Sequence, residues 1–138
     1  MNRVLCITLI VMALALAIVP HYTDCQSQGN VITMTSGKTT PMKCHWTGVA
    51  EIGVAAPLVV VGGMMTLFPR RKQNYMMLSF IGIVLAGVAI SLPTFLIGTC
   101  ATPTHICNTA MKPSLLTIGA LAAVVSLGVM ISARKVKD

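Results

Sequence analysis

Charge is what this chain has least of. Only 9% of its 138 residues are charged, and just three of those are acids. A water-soluble globule of this size needs more polar surface than that, so a soluble fold is excluded at the outset. The shortage of acids also removes paired carboxylates for hydrolysis. Glycine loops that cradle phosphate, a nucleophile with an adjacent base, and a Cys-x-x-Cys pair are missing as well. An enzyme is therefore not expected unless it works through thiols. Basic residues give a net charge of +7, but they sit in short clusters beside apolar runs. There they set topology, and nucleic acid is not an expected partner.

What is abundant is hydrophobic sequence, at 55% of the chain. Four apolar stretches run over residues 4–20, 47–69, 75–99 and 114–133. With a helical rise of ~1.5 Å per residue, about 20 residues cross a hydrocarbon core. The expected fold class is an all-α membrane protein: a single four-helix transmembrane bundle in the lipid bilayer. The first stretch is short and alanine-rich behind Arg3, so a cleaved secretory signal is its competing reading.

Sidedness follows from lysine and arginine. Arg3, Arg70, Arg71, Lys72, Arg134, Lys135 and Lys137 fall on one side; Lys38, Lys43 and Lys112 fall on the other. The richer side is expected to be cytoplasmic. Both termini and the inner turn 69–74 then face the cytoplasm of a multi-pass cell-membrane protein. Loops 21–46 and 100–113 face outside. Pro69 is expected to end the second span, and the alternation of Val31, Thr33 and Thr35 predicts a short hairpin in the first outer loop. Tyr22 and Trp46 sit where interfacial rings are favoured.

Small residues recur at helical spacing: Gly48, Ala55 and Gly62 with Glu51; Ser79, Gly82, Ala86 and Ala89; Gly119, Ala122, Ala123 and Ser126. Such faces let helices approach closely in lipid. Faint similarity between the two halves suggests two tandem helical hairpins. Glu51 is the acid within a span. A carboxylate there costs at least ~2.5 kcal/mol on insertion scales, so it should face the bundle and find a partner in Lys112, His45 or Thr117. A hydrogen-bonded strut is favoured over a proton relay.

The chemistry-bearing residues gather on the outer side. Cys25, Cys44, Cys100 and Cys107 lie there with His21, His45 and His105 and with Met34, Met42 and Met111, while Cys6 lies in the first span. Three readings follow. The leading one is two structural disulfides, because cysteines in an oxidising compartment usually pair, with the connectivity open. A second is thiol-disulfide exchange of the kind done by four-span quinone-linked oxidases. The third is a soft-metal site, copper above all, using Met42, Cys44, His45, His105, Cys107 and Met111. No cofactor is required by the leading reading.

The segments Met42-Lys-Cys-His-Trp-Thr-Gly48 and Ala50-Glu-Ile-Gly53, together with Leu96-Ile-Gly-Thr-Cys-Ala-Thr-Pro103 through Cys107 and Met111-Lys-Pro113, resemble the domain-of-unknown-function 4418 family from about residue 42 onward. The resemblance implies the four-span layout. It also implies companionship with ABC-type exporters, hence an accessory or structural subunit that contacts a permease or a second copy of itself as a homo-oligomer. The family pattern often carries a histidine just after the second loop cysteine, where this chain has Asn108.

Overall fold

The structure, a computed structural model, describes residues 2–27, 29–68 and 71–134. Pro69, Arg70, Lys135 and Lys137, which the boundary and sidedness arguments use, lie outside the described residues. Four helices long and apolar enough to cross a membrane form the chain: α1 (Asn2–Thr23), α2 (Lys43–Leu67), α3 (Lys72–Ser91) and α4 (Lys112–Arg134). Helices are the natural outcome, because a lone segment in lipid must satisfy its backbone groups internally. The fold class is thus an all-α membrane bundle.

At the cysteine-bearing end α1, α2 and α4 overrun their apolar stretches, while the third span stops at Leu96, three residues short of its stretch. The first continues three residues past Pro20. A proline removes one backbone donor, and lipid-embedded helices tolerate this when a neighbour packs over the gap. Here Pro20 is fully buried and lies against Gly48 of α2. α3 runs on as a π-helical turn, Leu92–Leu96, and a second π turn, Cys107–Met111, leads into α4. The last span therefore starts at Cys107, seven residues before the apolar run.

α1 with α2 and α3 with α4 are antiparallel hairpins, and α1 also packs on α4. The small faces make the contacts. A β-carbon on Gly62 would come within 2.6 Å of Ile10, and one on Gly82 within 2.8 Å of the Ser126 hydroxyl. Gly48, Glu51, Ala55 and Gly62 are all buried, as are Ser79, Gly82, Ala86 and Ala89, and Gly119, Ala122 and Ser126; Ala123 is partly buried against the core. At the basic end the Tyr75 hydroxyl donates to the Met65 carbonyl, joining α3 to α2. Phe80, Val84, Val124 and Leu127 stay exposed on the outside of the bundle, where lipid would cover them.

The long loop holds the expected hairpin one residue off the predicted alternation. β1 (Ile32–Thr33) pairs antiparallel with β2 (Thr39–Thr40). Gly37, at φ 77°, closes its turn, with its N–H donating to the Met34 carbonyl.

Candidate metal centre

Four chain segments converge at the loop end of the bundle, and each delivers one thiol. The sulfurs of Cys25, Cys44, Cys100 and Cys107 all lie within 4.8 Å of one another.

Cys25 follows α1 in a tight turn. The Asp24 carboxylate accepts from the Ser27 N–H at 2.7 Å, and the Ser27 hydroxyl donates back to the Asp24 carbonyl at 2.7 Å. The Asp24 side chain thus closes the turn onto the backbone three residues on. His45 locks it from α2, its Nδ1 standing 3.0 Å from Asp24 Oδ2. Burial pushes the Asp24 carboxyl up, but the hydrogen bonds from His45 and Ser27 outweigh it and hold the group below its ordinary range.

Cys44 occupies the first turn of α2 and is fully buried. The Cys25 N–H donates to Cys44 Sγ at 3.4 Å. Cys107 opens the last span and is fully buried.

Cys100 is placed by its loop. After the π turn, Gly98 takes φ 80°, a left-handed conformation that glycine adopts without penalty. The Thr47 hydroxyl donates to its carbonyl at 2.7 Å. Asn108 then clamps the segment: its amide donates to the Cys100 carbonyl at 2.6 Å and to the Thr102 carbonyl at 2.9 Å, and its oxygen accepts from the Thr99 hydroxyl.

The sulfur separations are 3.3 Å for Cys25 and Cys107, 3.4 Å for Cys44 and Cys100, and 3.6 Å for Cys25 and Cys100. None is a disulfide, whose S–S bond is about 2.05 Å. A tetrahedral ion with metal–sulfur bonds of ~2.3 Å sets its sulfurs about 3.8 Å apart. Three of the six separations fall a few tenths of an ångström below this value, and all lie within 4.8 Å. Burial, reinforced by the Cys44, Cys107 and Cys100 thiols, pushes the Cys25 thiol well above its ordinary pKa. Thiolates packed this closely need a cation among them.

The other expected ligands divide. His105 Nδ1 lies 3.9 Å from Cys25 Sγ, and Met42 Sδ lies 3.8 Å from Cys100 Sγ, so both flank the cluster. His45 is engaged with Asp24 instead. Met111 is fully buried below the cluster, its methyl facing Gly48. Met34 is exposed on the hairpin, and His21 stacks edge-on with Tyr22. Cys6 is buried in α1 near Gly62.

Glu51 is fully buried, and neither carboxylate oxygen has a hydrogen-bond partner among the described residues. The three partners expected for it are not bonded to it. His45 is held by Asp24, and the Thr117 hydroxyl turns back to the Pro113 and Ser114 carbonyls, a habit of threonine within helices. Lys112, at the start of α4, makes no hydrogen bond with it among the described residues.

Sequence reasoning passed over Asp24 and Thr47, and noted Asn108 only as the place where the family pattern often has a histidine. An aspartate and a serine just past a helix are residues that commonly bond the local backbone, and that was a readable signal for Asp24. Thr47 and Asn108 act across distant segments, and no local pattern marks them.

Residues 3–132 match the family described as a domain of unknown function (DUF4418), and the chain belongs to that family. The match takes in the first helix as well as the segments that carried the resemblance. No curated protein and no solved structure matches the chain.

Proposed function

We propose that this family member is a non-catalytic membrane protein that binds one thiophilic metal ion at its cysteine end. The observation that carries the reading is the mutual approach of four thiols, from four separate segments, to within 4.8 Å. Ligand count and spacing suit zinc(II) best, since four thiolates in a tetrahedron are a common zinc set. The Cys25 N–H bond to Cys44 and the Asn108 clamp on the Cys100 carbonyl are the outer-shell contacts that hold such ligands in place. Copper(I) is the competing ion, supported by the Met42 thioether beside Cys100. By the distribution of basic residues, the site faces outside the cytoplasm.

A second reading is a redox pair of dithiols. Each sulfur has another within 3.6 Å, so two bridges can close with little backbone movement. Structural bracing by permanent disulfides is the oxidised limit of this reading.

Membership of a larger assembly, such as an ABC-type exporter, is proposed alongside. In its favour, Gly53, Gly87 and Gly128 face open space and leave shallow surfaces for a partner helix. Crosslinking in the native membrane, followed by identification of the captured protein, tests this. A reproducible permease supports it, and recovery of the chain alone counts against it.

The metal reading is tested by purifying the full chain anaerobically in detergent and measuring metal content and reactive thiols together. One equivalent of zinc or copper with four protected cysteines supports it. Two closed disulfides and no metal support the redox reading.

A further inference from the structure

The cluster is closed on three corners and open on the fourth. Cys25, Cys44 and Cys107 are fully buried, whereas Cys100 is only partly covered. Cys100 borders a cavity of about 340 Å³ lined also by Met42, Lys43, Thr99, Thr102 and His105. His105 thus faces the opening and the cluster at once, because its Nδ1 is 3.9 Å from Cys25 Sγ. The His105 backbone is anchored at the turn before α4: its N–H donates to Thr102, and its carbonyl accepts from the Asn108 and Thr109 N–H groups.

A zinc site whose four thiolates were all sealed in the core would exchange its ion only by unfolding. This site has one loop-borne ligand at a cavity and an imidazole in reach of the same centre. Three thiolates and one histidine are an established zinc set, so the ion need never lose four-coordination when Cys100 leaves. We infer that the site is an exchangeable one, in which Cys100 is the releasable ligand and His105 takes its place to pass zinc through the cavity. This inference rests on the metal reading. In the exchange the zinc–sulfur bond to Cys100 breaks as a zinc–nitrogen bond to neutral His105 forms. The departing thiolate takes a proton from water, and no oxidation state changes. The acceptor or donor on the cavity side is a small zinc complex, which the volume admits.

The experiment uses the full chain in detergent with cobalt(II) as the spectroscopic probe and a chromophoric chelator as the zinc acceptor. Cys100→Ser is expected to bind one cobalt with a tetrahedral spectrum of reduced thiolate charge transfer and a loss of affinity. Adding His105→Ala to that variant should abolish the tetrahedral spectrum. With all four cysteines kept, His105→Ala should retain one zinc per chain and release it to the chelator more slowly than the wild type. A double variant that binds cobalt like the single one, or an unchanged release rate, overturns the exchange route while leaving the metal site standing. Wild-type protein that takes up neither ion overturns the metal reading itself.

Discussion

The side-chain amide of Asn108 donates to the backbone carbonyl of Cys100 at 2.6 Å, across a loop whose two ends belong to different helical segments. The same amide reaches Thr102, and its oxygen accepts from Thr99. One residue, next in sequence to Cys107, thereby fixes where the loop thiol stands. Outer-shell contacts of this kind typically affect metal affinity by 10–100-fold.

Asn108→Ala should therefore weaken zinc binding by about 10–100-fold while leaving the helical content unchanged. Competitive titration against a chelator of known affinity, with circular dichroism as the control, measures both. Asn108→Asp keeps one acceptor but loses both donations, so it should resemble the alanine variant. An asparagine-to-alanine change with no effect on affinity would show that the loop is placed by other contacts.

Oxidation of the metal-free protein should join Cys25 to Cys107 and Cys44 to Cys100, the two shortest separations that use each sulfur once. This pairing staples the first helical hairpin to the second. Bridges within each loop would need Cys25 and Cys44, and Cys100 and Cys107, to rearrange. Peptide mapping after mild oxidation decides it. A Cys25–Cys44 bridge as the dominant product would contradict the geometry.

Glu51 gives a prediction of opposite sign to the usual effect of a core substitution. Its carboxylate is fully buried without a partner among the described residues, and a polar group left in that state costs about 1–3 kcal/mol. Glu51→Met, similar in size and apolar, should raise the thermal midpoint of the purified protein. Glu51→Gln should raise it less, because the amide still lacks partners. A marked loss of stability in both variants would mean that the carboxylate is satisfied in the membrane by a ligand or a second protein.

Much of the bundle was legible in the sequence because lipid imposes simple rules. Long uncharged runs become helices, and the small faces around Gly48, Gly82 and Gly119 became the packing faces. The helix ends were less legible. The first apolar stretch ended at Pro20, but the helix passes through it, with Gly48 leaving room for the ring. The fourth helix begins early because Cys107 to Met111 form a π turn continuous with it.

The candidate site was legible as a list of residues and not as an arrangement. Segregation of four cysteines to one end follows from topology alone, but their order along the chain left the pairing open between bridges within each loop and bridges between the hairpins. Their meeting at one centre depends on Gly98 turning the third span back and on the Asp24 and His45 lock, contacts between positions far apart in sequence. Glu51 shows the converse. The sequence marked it as an acid that should be buried, and it is, but none of the partners expected for it is hydrogen-bonded to it among the described residues.

The most direct test is the cobalt(II) spectrum of the full chain, purified anaerobically and stripped of metal. The metal reading predicts one equivalent bound, intense d–d bands of a tetrahedral site, and charge-transfer absorption from four thiolates that zinc displaces. Cobalt that stays octahedral, with four thiols still open to alkylation in its presence, would contradict it.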